Sequence, residues 1–236
     1  LQLALPRFNA LVTATPSIRE RLAKLNERVV DIKNFPILGE LGTIEGAIPF
    51  GKRRLVCYVG GITRVRGVRE LVAAAAQFPE GVDLVLAGPM ECEGFRRELE
   101  MSPGWARTCY RGVMDRAGVA ALLRESFAGL VTLYPTPNHL DAYPVKLFEY
   151  MSAGLPVIAS DFPLWRELLG NGAFGICVDP LDPGAIARAI AMLLGDPDWA
   201  EDMGRRGREA VETRFNWEYE EVRLFKLYEQ LAGIRI

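Results

Sequence analysis

Between residues 54 and 194, short runs of β-branched and aliphatic residues alternate with stretches in which apolar positions recur every three to four residues. The first pattern predicts strands buried on both faces, over 55–59, 82–87, 108–111, 129–133, 156–160 and 175–178. The second predicts helices over 68–78, 93–100, 115–125, 144–153 and 183–194. Such alternation is the sequence form of repeated βαβ units, so the expected fold is α/β, with a Rossmann-like, doubly wound parallel sheet of six strands. Two further helices follow without an intervening strand, over 198–213 and 217–231. They are expected to form a closing flap.

A smaller pattern precedes this domain: a strand-like 9–14, a helical 17–25 and a strand-like 28–32. One such unit cannot bury both its faces. It therefore either leans on the main sheet or belongs to a further domain mostly absent here, and the second reading is preferred. Residues 34–50 are rich in Gly and Pro, which suits a linker. The expected division is an amino-terminal remnant with linker over 1–50, a Rossmann-like domain over 51–214 and a carboxyl-terminal helix over 215–236.

Charge narrows the function. The 236 residues carry 28 basic and 30 acidic side chains, interleaved, for a net charge of -2, so no broad positive field is available to a nucleic-acid backbone. No apolar run approaches the roughly 18 residues of a membrane span, and a soluble chain is expected. Four widely spaced cysteines without a CxxC pair, and a single histidine, His139, disfavour a metal site. Cys57, Cys109 and Cys177 fall in strand-like runs and read as small core residues of a reduced, cytoplasmic protein. The chain opens at Leu1 with no signal-like segment, and is expected to be a piece of a longer polypeptide.

In an open parallel sheet, ligands bind outside the carboxyl ends of the strands. Three places there carry chemistry. Gly60-Gly61-Ile62-Thr63-Arg64-Val65-Arg66-Gly67 joins the first strand to its helix. Its glycines admit close backbone approach, the helix start offers N–H groups to phosphate, and two arginines can grip a diphosphate. The plainer alternative is a tight βα turn with solvated arginines. The stretch is not GxGxxG, which disfavours a dinucleotide.

The second place is Asp141-Ala142-Tyr143-Pro144-Val145-Lys146-Leu147-Phe148-Glu149. Pro144 suits the first helical position. Lys146 then lies in the first turn, where a cation is mildly unfavourable unless an anion is near. A phosphate would supply that anion; the plainer alternative is an ion pair with Glu149. Asp141 and Glu149, eight positions apart, suit acceptance of hydrogen bonds from sugar hydroxyls, or else are surface carboxylates. The third place comprises the turns at Gly88 and at Gly112-Val113, where backbone could approach a flat base; each is a weak signal alone.

Taken together these motifs resemble the nucleotide-sugar-binding half of the GT-B glycosyltransferases, family 4 or group 1. The most specific stretch is DAYPVKLFEYMSAGLPVIASD at 141–161, with support from YVGGITRVRG at 58–67, from Arg111-Gly112-Val113 and from 203–228. The resemblance implies retaining transfer of a sugar from a nucleotide-diphosphate donor, with no cofactor and no bound metal. It implies that Glu149 binds the donor ribose and Asp141 the donor sugar. Arg66 would grip the diphosphate, the backbone of Ala142, Tyr143, Pro144 and Val145 would cap it, and Val113 would lie against the base.

The sequence departs from the family at two positions. Asp141 replaces the usual Glu, shortening its reach by ~1 Å, a shift that can cost ~100-fold in a tuned site. Gly61 stands where the family has Arg, and Arg64 or Lys146 is expected to replace that cation. Family habit adds an acceptor that is a sugar, lipid-linked glycan or similar group, a role in cell-surface polysaccharide or glycoconjugate synthesis, and peripheral association at the inner membrane face. A final helix would return to the first domain, with Trp217, Tyr219, Phe225 and Tyr228 as its apolar face or as filling of the main core. Two other readings stand beside this one: a donor-binding module without activity of its own, and a GT-B nucleotide-sugar epimerase.

Overall fold

A computed structural model describes residues 4–41 and 48–233. The chain begins with β1 (Leu11–Thr13), α1 (Pro16–Leu22) and β2 (Val29–Asp31). The main domain follows as β3 (Leu55–Val59), α2 (Val68–Ala75), β4 (Asp83–Ala87), α3 (Glu93–Glu100), β5 (Thr108–Tyr110), α4 (Arg116–Glu125) and β6 (Ser126–Val131). It continues through α5 (Pro137–Leu140), α6 (Val145–Ser152), β7 (Val157–Ser160), α7 (Pro163–Leu168), β8 (Gly175–Val178), α8 (Pro183–Gly195), α9 (Pro197–Thr213) and α10 (Trp217–Ala232).

Strands β3 to β8 form one parallel sheet in the order β5-β4-β3-β6-β7-β8. Every predicted strand is present. Alternate side chains serve two layers: Val56, Tyr58, Leu84 and Leu86 enter one core, and Cys57, Val85 and Ala87 the other. The winding direction reverses between β3 and β6, so the loops that leave these neighbours, 60–67 and 132–144, diverge around a crevice at the topological switch point.

Several sequence expectations are corrected. Residues 198–213 form no flap, since α9 buries Ala200, Met203 and Val211 within the two cores. The short helices α5 and α7 are too brief to show periodicity and were not expected. Of the three cysteines assigned to the core only Cys57 is buried; Cys109 is exposed and Cys177 intermediate, because β5 and β8 are the two edges of the sheet. On α10, Tyr219, Phe225 and Tyr228 are exposed, and the face that packs carries Glu220 and Leu227.

Strands β1 and β2 pair in parallel as a separate two-stranded sheet. They do not join the main sheet. Helix α10 holds them instead. The Asp31 carboxylate, nearly enclosed, is shared by Lys33, Arg19 at 3.5 Å and Arg223 at 3.3 Å. Glu220 accepts from the Lys33 N–H at 3.1 Å and pairs with Arg223 at 2.7 Å. The Pro36 carbonyl accepts from the Trp217 N–H at 2.9 Å.

Asp31→Ala is expected to remove the shared acceptor of three cations and to cost about 1–3 kcal/mol of local protection. Hydrogen exchange should show residues 11–31 opening more readily while the amides of β3, β4 and β6 keep their protection.

Candidate functional site

The crevice is built by backbone geometry first. Gly60 ends β3 with φ 138°, in the region that favours glycine. A Cβ there would lie 2.6 Å from Lys146 Nζ and 3.3 Å from Arg66 Nη1. Two cations from different βα junctions therefore converge on one stretch of bare backbone. The junctions are also joined directly, since Tyr134 N–H donates to the Val65 carbonyl at 3.0 Å.

Tyr58 forms the floor. Its ring is buried, and its hydroxyl donates to the Gly61 carbonyl at 2.9 Å. Lys146 Nζ donates to the same hydroxyl oxygen at 3.0 Å and lies 4.1 Å from the ring centroid. No carboxylate comes within 4 Å of Lys146 or of Arg66 among the described residues. Burial, followed by the charge of Arg66, pushes the Lys146 ammonium down from 10.5 to about 7, against a smaller opposing pull from Glu149. Arg66, Lys146 and Glu149 thus share one electrostatic environment. The Lys146–Glu149 ion pair that stood as the plainer alternative to an anion is not present. At the end of β6, the buried Thr132 hydroxyl has no hydrogen-bond partner among the described residues, and it lies beside Gly67.

Helix α6 starts one residue later than expected. Pro144 is its N-cap, with ψ 116°, and Val145 and Lys146 form the first turn. The Ala142 carbonyl accepts from Trp165 Nε1 at 2.9 Å, which fixes the loop that enters the helix. Glu149, one turn on from Lys146, is mostly enclosed and receives a hydrogen bond from Arg116 Nη1 at 2.7 Å.

Arg64 does not join this cluster. Glu91 and Glu98 each hold it at 2.8 Å, and its guanidinium lies over the Phe95 ring at 4.4 Å. Of the two cations expected to replace the family's arginine at Gly61, Arg64 is thus held by carboxylates, and Lys146 lies against Gly60; the cation nearest Gly61 itself is Arg66, whose Nη1 would lie 3.7 Å from a Cβ there. Gly88 packs against the Gly60 carbonyl, and its N–H donates to the Gly112 carbonyl at 2.7 Å. Val113, next along, is exposed on the rim.

Asp141 caps α5 and is exposed. It lines a cleft of about 500 Å³ together with Thr15, the N-cap of α1, and Ser17 and Arg21 on that helix. The two carboxylates of the motif therefore face different spaces, Glu149 the crevice and Asp141 the cleft between the sheets. Tyr58, Thr132 and Arg116 were not singled out from the sequence. Arg116 carried a usable signal, a cation at a helix start like Lys146.

No group of three or more His, Cys, Asp or Glu side chains among the described residues is arranged to hold a metal ion. No described helix is long and apolar enough to cross a membrane.

Comparison with known proteins identifies the family and the fold. The chain is 29% identical over 189 residues to the alpha-maltose-1-phosphate synthase of Mycolicibacterium smegmatis, an alignment covering 77% of this chain and 49% of that protein. It thus spans about half the length of the curated relatives it matches. Among solved structures, sucrose-phosphate synthase from Thermosynechococcus elongatus superposes with a TM-score of 0.80 at 27% identity, covering 98% of this chain and 60% of that one. Anabaena HepE, solved with UDP-glucose, shares the fold with a TM-score of 0.78 at 17% identity, covering 99% and 68% respectively. The family model for glycosyl transferases group 1 matches residues 44–210. The chain belongs to the group 1 glycosyltransferases, with the Rossmann-like fold of a GT-B carboxyl-terminal domain.

Proposed function

We propose that this chain is the donor-binding half of a retaining glycosyltransferase that uses a nucleotide-diphosphate sugar. The observation that carries the reading is the convergence of Arg66 and Lys146 on the Gly60 backbone with no carboxylate within 4 Å of either among the described residues. Two cations facing each other in a partly buried site repel, and a diphosphate placed over Gly60 would relieve that repulsion. The first-turn N–H groups of α6 would meet the same anion. Glu149 would then accept from the ribose, Val113 would lie against the base, and Asp141 would face the donor sugar across the cleft.

In this reading the bond from the sugar's anomeric carbon to the diphosphate oxygen breaks, the acceptor hydroxyl oxygen bonds to the same face, and its proton passes to the departing diphosphate. The leaving diphosphate takes up negative charge, which Arg66, Lys146 and the helix start stabilise as preorganised donors. HepE, solved with UDP-glucose, supports a uridine nucleotide as the first donor to try. The acceptor, a sugar or lipid-linked glycan, and a role in polysaccharide or glycoconjugate synthesis near the inner membrane face belong to the same proposal. Because the chain spans about half the length of its relatives, we assign it donor binding and expect transfer only when the remaining wall of the cleft is supplied.

Titration calorimetry with UDP, GDP and ADP tests the reading, and absence of binding to all three would sink it. Arg66→Ala should weaken the preferred diphosphate about 10- to 100-fold, the range expected for losing charge-assisted hydrogen bonds. Asp141→Asn should leave nucleoside diphosphate affinity unchanged while lowering donor turnover in a complete protein.

Affinity should also depend on pH with a defined sign. In the free protein Lys146 loses its proton near pH 7, and a bound diphosphate favours the charged form. Binding is then strongest below about pH 7, takes up a proton above it, and weakens by up to about tenfold per pH unit until the raised pKa of the complex is passed. Without ligand the depressed ammonium value acts oppositely on folding: stability should rise as pH goes from about 7 towards 10.5. Lys146→Met should flatten both profiles, read by calorimetry in buffers of different ionisation enthalpy and by thermal melts.

A further inference from the structure

Arg116 is the first residue of α4, directly after the Val113-Met114 turn and the N-cap Asp115, whose carboxylate accepts from the Gly118 N–H at 2.8 Å. A cation at this end of a helix opposes the helix dipole. It is drawn there by two acids from distant parts of the chain. Nη1 donates to Glu149 Oε1 at 2.7 Å, and Nη2 pairs with Glu40 Oε2 at 2.8 Å. Glu149 lies on α6, and Glu40 on the segment between the two sheets. Glu149 Oε2 has no hydrogen bond among the described residues. One oxygen of a mostly enclosed carboxylate is therefore tied, and its other oxygen is left able to accept.

We propose that Arg116 is a positioning residue for nucleoside recognition: by holding Glu149 Oε1 it presents Oε2 to the ribose hydroxyl pair, and through Glu40 it links that geometry to the segment joining the sheets. This rests on the reading of Glu149 as the ribose acceptor. The planar guanidinium suits the task because its fork fixes the direction of both partners, which a flexible ammonium does not. Its place between the rim turn at Val113 and the carboxylate at Glu149 puts it beside the sugar of the nucleoside, away from the diphosphate cations. The effect should therefore appear in recognition of the ribose and leave the diphosphate contribution intact.

The test is calorimetric titration of the tightest binder among UDP, GDP and ADP, together with its 2′,3′-dideoxy form, against the full chain and its Arg116→Ala, Arg116→Lys and Glu40→Gln variants. The unaltered chain should prefer the ribose form by about tenfold or more, as expected for hydrogen bonds to a charged group. In Arg116→Ala that preference should collapse towards one through weaker ribose binding, with dideoxy binding changed less than about twofold, and Arg116→Lys should restore part of it. Glu40→Gln should give a smaller loss of the same kind.

Equal weakening of both ligands in Arg116→Ala would show a merely structural role and overturn the proposal. So would tighter ribose binding, which would make Arg116 a competitor of the nucleoside. A preference of one in the unaltered chain would instead defeat the ribose role of Glu149 itself. That result is distinct, because it appears before any substitution at Arg116.

Discussion

Two cations are kept close together with no carboxylate within 4 Å of either among the described residues, and the local structure is arranged to hold them so. Arg66 enters on the loop after β3 and Lys146 on the first turn of α6, and Glu149 offsets part of the repulsion that Lys146 feels. In a partly buried site such repulsion persists only if the elements that carry it cannot relax. The sheet provides that rigidity: Tyr58 is locked in the core with its hydroxyl bonded to Gly61, and Val65 is hydrogen-bonded to Tyr134 across the crevice. An unpaired charge pair on a rigid frame is a binding site prepared in advance, since little reorganisation remains to oppose the arrival of an anion.

Helix α6 is the piece on which the charges are registered. Three of its residues meet β3 and α4 within little more than one turn. Lys146 reaches Tyr58, Glu149 reaches Arg116, and the Tyr150 hydroxyl accepts from the Val59 N–H at 2.8 Å. The last contact pins the helix to the end of β3, and Gly129 beneath the ring is what lets the helix come so near. A side chain at that glycine would displace Tyr150, and with it Glu149 beside it and Lys146 one turn earlier. Core packing and charge placement are thus one constraint at this point of the fold.

The sheet was legible because a strand buried on both faces and an amphipathic helix leave different periods, and the four inner strands β4, β3, β6 and β7 are of the first kind. The cores, and the switch-point loops at 60–67 and 132–144, follow from that order. What the sequence could not distinguish was Arg64 from Arg66. Both stand two apart in a turn of three residues per turn, so they leave it in directions about 120° apart, and only the position of α3 decides which is neutralised. The partner of Glu149 was hidden for a related reason. Arg116 lies 33 positions away, a separation no local pattern reports. The edge cysteine Cys109 looked like core because a period-2 pattern does not say which strand ends the sheet.

The amino-terminal sheet explains why the two carboxylates of the motif face different spaces. Residues 33–38 are bound to the start of α10 through Lys33, Pro36 and Leu38, and Phe35 sets its ring 4.7 Å from Phe148, the neighbour of Glu149 on α6. The segment between the sheets is therefore anchored to the helix that carries the site, and Glu40 extends the same anchorage to Arg116. Any rotation of the small sheet against the large one would change the width of the cleft at Asp141 first. The crevice at Arg66 and Lys146, built wholly within the main sheet, would stay as it is. The nucleotide end of a ligand would so be held by rigid parts, and the end at which bonds change would lie where the walls can move.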